Sequence, residues 1–310
     1  MTWLLLGIGL VLLLAGGEAL VRGAVLAATR LGVSPLVIGL TLLGFGTSTP
    51  ELVASLQAAA AGAPGLALGN VVGSNIANVL LILGLAAVIA PVAVSRGAFL
   101  RDGAAVVGAS LALAALALHG TVGRLAGAAL LVVLALYTLN ALRSERTGWQ
   151  EVATEEDTPR SGLWRGLGLA ALGIAGVVVG AEFLVRSALV LARGFGVSET
   201  VIGLTLVAVG TSLPELATSA VAALRGQSAV ALGNVLGSNL FNVLGIAGLT
   251  AMVTPLPVPP EIAGRDVWLM LAAALALAAA GMRGWRIDRR EGAAFLAAYA
   301  GVLALQLGFV

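Results

Sequence analysis

The sequence predicts an all-α polytopic membrane protein of ten transmembrane helices, arranged as two inverted five-helix repeats with helices 2, 3, 7 and 8 broken. Three observations predict it. Hydrophobic residues make up 59% and charged residues 10% of the 310 positions, and mean hydropathy is +1.05, more apolar than a soluble surface tolerates. Apolar stretches of about 20 residues recur along the chain, the length a helix needs to cross roughly 30 Å of hydrocarbon. Finally, Glu18 to Leu80 matches Glu182 to Leu244 at a constant offset of 164 without a gap, with 36 of 63 positions identical.

Splitting the apolar stretches at their Arg, Pro and polar breaks starts the spans near Trp3, Val37, Leu66, Leu100, Leu125, Trp164, Val201, Ala229, Val267 and Ala293. Met1 and Thr2 lead straight into an apolar segment without a basic n-region, which reads as the first span rather than a signal peptide. The stretch from Ser144 to Ser161 holds Glu145, Arg146, Glu151, Glu155, Glu156, Asp157, Pro159 and Arg160, and reads as a cytoplasmic linker. It divides a first repeat, residues 1–143, from a second, residues 162–310. An odd number of spans per repeat turns the second copy upside down, the architecture of transporters.

Arg alone sets the topology, because the chain has no Lys. Arg30, Arg96, Arg101, Arg143, Arg146, Arg160, Arg165, Arg225, Arg283, Arg286, Arg289 and Arg290 fall on one side, and Arg124, Arg193 and Arg265 on the other. The positive-inside rule makes the first side cytoplasmic and leaves both termini outside. The pI near 9.9 therefore reflects membrane orientation, and no nucleic-acid partner is expected. Absence of Cys removes disulfides, thiolate catalysis and zinc-thiolate sites.

The densest polar signal lies where hydrocarbon is expected. Gly46-Thr47-Ser48-Thr49-Pro50-Glu51 occupies the second span and Gly210-Thr211-Ser212-Leu213-Pro214-Glu215 the seventh. Each proline lacks a backbone donor and displaces the carbonyl one turn earlier, which frees carbonyls near Gly46 and Gly210 as oxygen ligands. Thr47 precedes Glu51 by four residues, so hydroxyl and carboxylate share a helix face. The third and eighth spans carry Gly69-Asn70-Val71-Val72-Gly73-Ser74-Asn75-Ile76-Ala77-Asn78 and Gly233-Asn234-Val235-Leu236-Gly237-Ser238-Asn239-Leu240-Phe241-Asn242. Their glycines permit close helix approach and unwinding, and Ser74 with Asn78, like Ser238 with Asn242, again stand four apart.

Together these segments offer two carboxylates, hydroxyls, amide oxygens and carbonyls with no His or Cys. An all-oxygen set suits hard cations and argues against zinc, copper or iron. Taken singly, Ser, Thr and Gly inside spans serve helix packing. Glu51 and Glu215 do not fit that role, because an intramembrane carboxylate is costly and here it is duplicated. Asn70, Asn75, Asn234 and Asn239 either brace broken helices or touch an ion. Glu18 with Arg22 and Glu182 with Arg186 have the favourable i,i+4 order and read as structural or gating pairs. His119 reads as a solvated loop residue. Asp102, Asp157, Asp266 and Asp288 fall in or beside loops, so no acid pair or Ser-His relay suggests an enzyme.

These paired motifs resemble the two alpha repeats of the sodium/calcium exchanger family, within the calcium/cation antiporter superfamily; the short linker resembles its prokaryotic members. The resemblance implies antiport of calcium for sodium by alternating access, with three sodium ions per calcium and spans one and six sliding across the other eight. It implies Glu51 and Glu215 as central calcium ligands. Thr47, Ser48, Ser74, Asn78, Thr211, Ser212, Ser238 and Asn242 complete the ion sites, with carbonyls of Gly44 and Ala208. Some relatives carry Asp where Asn242 stands, including potassium-dependent ones, so potassium coupling is not expected. The transported calcium and sodium ions are the partners expected besides the bilayer. No cofactor is expected, and the chain is expected to work as a monomer in the cytoplasmic membrane. A proton/calcium antiporter is the alternative, and a channel fits two converging inverted halves less well.

Overall fold

A computed structural model describes residues 2–149, 161–194 and 208–306. The first half opens with α1 (Thr2–Leu31), α2 (Pro35–Thr47) and α3 (Thr49–Ala60). It continues with α4 (Pro64–Ile89), α5 (Arg96–Leu118) and α6 (Arg124–Trp149). The second half holds α7 (Ser161–Gly194), the four-residue α8 (Ala208–Thr211), α9 (Leu213–Leu224), α10 (Ser228–Val253), α11 (Ile262–Met282) and α12 (Arg289–Gln306).

The protein is a multi-pass helical membrane protein. Among the described residues seven helices are long and apolar enough to cross a bilayer, and α2 with α3, bent by 42°, makes an eighth. The expected span start near Val201 lies outside the described residues. The last expected span coincides with α12, whose 18 residues begin Arg289-Arg290-Glu291. Those three charges keep the described part of α12 out of the seven, and residues 307–310 lie outside the described residues. The first residues of the expected linker are helical, since α6 continues past Ser144 to Trp149, while residues 150–160 lie outside the described residues. Among the described residues there are also two short antiparallel ladders, Val92–Ala93 with Arg286–Ile287 and Thr121–Val122 with Leu256–Pro257.

Of the four helices expected to break, only two do. α2 yields to α3 at Ser48 (φ −82°, ψ 10°), and α8 to α9 at Ser212 (φ −87°, ψ 8°). Pro50 and Pro214 follow two residues later, in the first turn of the next helix, where a missing N–H costs nothing. By contrast α4 and α10 run through unbroken. They have no internal proline, and each contains a π-helical turn, at Asn78–Leu83 and Phe241–Ile246. Both π turns include the asparagine of the motif.

Glycine sets the closest approaches. A Cβ at Gly237 would lie 2.0 Å from the Leu40 carbonyl, so α10 can rest on α2 only without one. A second seam joins α1 to α7. There Gly9 abuts Gly180, Gly16 abuts Gly173 and Val177, and Gly23 abuts Gly166 and Ala170. Residue numbers rise along one helix as they fall along the other, so α1 and α7, equivalent in the two repeats, are antiparallel. Trp3, Leu4, Val11, Leu14, Trp164 and Leu172 on this pair are exposed, as lipid-facing residues are.

The start of α12 is fixed by a capping box: Asp288 accepts from the backbone of Arg290 and Glu291, and Glu291 accepts from the Asp288 N–H. These backbone donors, Glu291 foremost, hold the exposed Asp288 carboxyl below its usual range. Asp102, expected beside a loop, is instead fully buried within α5. Arg101 donates to both its oxygens at 2.6 and 3.0 Å, and the Tyr137 hydroxyl donates at 2.7 Å. Asp157 lies outside the described residues.

Candidate cation site

The two helix breaks bring their polar residues together with the middles of α4 and α10. Glu51 and Glu215 stand in the first turns of α3 and α9, each 1% exposed. Each carboxylate is held by a hydroxyl from the opposite repeat. Ser48 donates to Glu215 Oε1 at 2.7 Å, and Ser212 donates toward Glu51 Oε1 at 3.2 Å, with Ser74 Oγ 3.3 Å away. Thr47 and Ser238 sit close to Glu215, and Thr211 close to Glu51.

Breaking the helix before Glu51 changes what Thr47 faces. Its hydroxyl reaches the Leu43 carbonyl at 2.9 Å and the Asn234 side-chain oxygen at 3.3 Å, rather than the carboxylate four residues on. The Gly46 carbonyl, expected to be free, accepts the Ser48 N–H. The Gly44 carbonyl accepts the Ser238 hydroxyl at 3.3 Å, and Ala208 opens α8.

Asn70 and Asn234 brace. Asn70 Nδ2 donates to the Glu51 carbonyl at 3.1 Å and to Ser55 Oγ at 2.9 Å, while its oxygen receives Thr211 at 3.4 Å. Asn234 repeats the pattern, donating to the Glu215 carbonyl at 3.4 Å and to Ser219 at 2.9 Å, and receiving Thr47. Sequence reasoning missed Ser55 and Ser219. The available signal was their identical placement, four residues after each glutamate. Asn75 bonds the Val71 carbonyl at 2.7 Å, and Asn239 accepts Asn78 Nδ2 at 3.0 Å.

What remains unbonded defines the chemistry. Glu51 Oε2, Glu215 Oε2, Asn78 Oδ1 and both side-chain atoms of Asn242 are buried without a partner. A buried polar atom left unpaired is costly unless something absent from the protein satisfies it. All but the Asn242 Nδ2 are oxygens, and with the two carboxylates they form the donor set of a hard cation. Among the described residues no three His, Cys, Asp or Glu side chains cluster, so the acidic groups of the site are the two carboxyls of Glu51 and Glu215.

Access is asymmetric. Gly233, Asn234 and Gly237 are buried, whereas Gly69, Asn70 and Gly73 are half-buried and line a cavity of about 480 Å³. The same cavity reaches Ser74 and Thr211 and ends among Gly65, Leu66, Arg265 and Gln306.

The Glu18–Arg22 and Glu182–Arg186 pairs form as expected. Glu18 has a second partner that its own helix did not reveal: Arg225 at the end of α9, at 2.6 and 2.8 Å. His119 is exposed in the turn after α5.

A polytopic helical protein that buries two carboxylates among unpaired oxygens, with a cavity reaching Ser74 and Thr211 beside them, is a membrane transport protein. The sodium/calcium exchanger protein family matches residues 1–143 and 165–308, and the chain belongs to that family. The sodium/calcium exchanger MaX1 of Methanosarcina acetivorans is 33% identical over 341 residues, covering 98% of this chain and 97% of its own. Inner membrane protein YrbG of Escherichia coli is 36% identical over 286 residues, covering 88% and 86%. The solved structure of the sodium-calcium exchanger NCX_Mj soaked with zero Na+ and Ca2+ superposes with a TM-score of 0.87 at 31% identity, covering 98% of each chain. These relatives are exchangers and membrane proteins, not enzymes.

Proposed function

We propose that this protein exchanges calcium for sodium across the cytoplasmic membrane by alternating access. The observation that carries the reading is the reciprocal pair of carboxylates, Glu51 bonded by Ser212 and Glu215 bonded by Ser48, each with its second oxygen unpartnered. Two negative charges suit one divalent ion. Thr47, Ser48, Ser74, Thr211, Ser212, Ser238, Asn78 and Asn242, with the Gly44 and Ala208 carbonyls, supply neutral oxygens for sodium in the same place. Both ions then compete for one site, which is what obligatory exchange requires.

In this reading the chain has ten spans in two inverted five-helix repeats, residues 1–143 and 162–310, joined by a cytoplasmic linker, with both termini outside. The antiparallel seam of α1 and α7 supports the inversion, and the Arg distribution supports the orientation. The cavity beside α4 then opens to the outside, and the buried contact of α10 on α2 closes the cytoplasmic route. The glycine seam lets α1 and α7 slide as a pair over the remaining helices. Asn242 leaves the site without a third carboxylate and potassium out of the cycle. A single chain contains the whole site and works as a monomer.

The test is calcium uptake into proteoliposomes under sodium, potassium and proton gradients imposed in turn. Only an outward sodium gradient at clamped pH is expected to drive accumulation. Accumulation driven by a proton gradient without sodium would overturn the choice of counter-ion, and downhill calcium leak without any counter-ion would overturn antiport itself.

A further inference from the structure

Among the described residues Asp266 is the one acidic side chain lining the cavity that leads to Asn70, Ser74 and Thr211. Nothing in the cation site uses it, and the internal repeat shows what it lacks. Arg101-Asp102 and Arg265-Asp266 are equivalent at the same offset of 164. Asp102 is sealed by two bonds from Arg101 and one from Tyr137. Asp266 has a single bond among the described residues, from Arg265 Nε at 2.9 Å, and its side chain is 16% exposed.

The missing seal can be located. Beyond the turn the register advances by one residue. Gly127 packs on the Gly248 carbonyl as Gly292 packs on that of Gly84, an offset of 165 for the packing glycines and 164 for their partners. Tyr137 therefore corresponds to Val302, which lines the cavity beside Asp266 and has no hydroxyl to donate. One copy of the carboxylate is a closed structural element, and the other lines the cavity that reaches Ser74 and Thr211.

We propose that Asp266 is a vestibule carboxylate that draws calcium into the cavity before it reaches Glu51 and Glu215, with Arg265 moderating its charge. The proposal rests on the exchange reading above and adds a residue outside the ligand set. A charge at the mouth of a low-dielectric cleft raises the local concentration of counter-ions and their association rate. It acts on capture, not on the translocation step, and only from the face to which the cavity opens.

The signs of two substitutions test this. Asp266→Asn removes the attraction and is expected to raise the half-saturating calcium concentration on the cavity side about threefold, with the maximal rate and the opposite face unaffected. Arg265→Gln leaves Asp266 unopposed and is expected to lower that concentration. Both effects fade as ionic strength rises toward about 1 M, where the screening length falls to about 3 Å.

A purely structural Arg265–Asp266 pair predicts the same sign for both variants, on rate as well as affinity, and that result would overturn the proposal. So would equal effects on both faces. Calcium-45 association with the purified protein, followed by rapid filtration, gives the same comparison without relying on exchange. If the wild type shows no sodium-driven flux the exchange reading fails, and opposite shifts in association for the two variants still decide the role of Asp266.

Discussion

Replacing the ion in the site changes its charge, and a membrane potential reads that change. Glu51 and Glu215 contribute two negative charges when ionised, and the remaining proposed ligands, Asn78 and Asn242 among them, are neutral. One calcium ion brings the site to zero. With three sodium ions bound, the stoichiometry implied by the family resemblance, it carries one positive charge. One net charge is therefore expected to cross per cycle, worth about 2.3 kcal/mol per 100 mV, or roughly 50-fold in the calcium ratio at equilibrium. The assay is sodium-driven calcium flux into proteoliposomes with the potential set by potassium and valinomycin. Reversing a 100 mV potential is expected to change both the initial rate and the final calcium ratio, in opposite directions for the two signs. A final ratio independent of potential would refute the charge count and indicate two monovalent ions per calcium.

Three further outcomes follow from the packing and the bonds. Glu51→Gln and Glu215→Gln each leave the protein folded and lower exchange at least 100-fold, since each halves the charge facing a divalent ion; wild-type-like flux by either would remove it from the site. Asn234→Ala deprives the Glu215 carbonyl, Ser219 and Thr47 of their shared partner. It is expected to weaken calcium and sodium affinity together, with a loss of about 1–3 kcal/mol in stability from the buried groups left unpaired; unchanged ion affinities would make Asn234 a packing residue only. Gly237→Ala forces a methyl to within 2.0 Å of the Leu40 carbonyl, an overpacking that costs about 1–3 kcal/mol or more. Gly73→Ala, at the matching position lining the cavity, is expected to melt closer to wild type. Equal melting shifts for the two would contradict the asymmetry of the halves.

Much of this was legible in the sequence because the repeat supplied an internal control. Glu51 and Glu215 stood out as duplicated charges in hydrocarbon, and the structure buries both and joins them through Ser48 and Ser212. The helix breaks in the second and seventh spans were readable from Pro50 and Pro214. In the third and eighth spans glycine permitted unwinding without enforcing it, and with no internal proline the helices run on through a π turn. Thr47 was aimed at Glu51 by helical spacing, but spacing fails across a break, and the hydroxyl turns to Asn234. Asp102 looked like a loop residue because it lies near the end of a span. Its burial depends on Tyr137 from another helix, which one-dimensional proximity does not reveal. The Glu18–Arg225 pair, 207 residues apart, was hidden for the same reason.

The central claim is that calcium binds between Glu51 and Glu215 and that sodium displaces it there. Long-wavelength anomalous diffraction from crystals of this protein, grown with calcium and then soaked in rising sodium, tests it most directly. The account predicts one calcium peak within about 2.3–2.6 Å of oxygens from both glutamates, lost as sodium rises and absent from Glu51→Gln crystals. A calcium peak elsewhere in the chain, or one between the glutamates that sodium does not displace, would contradict it.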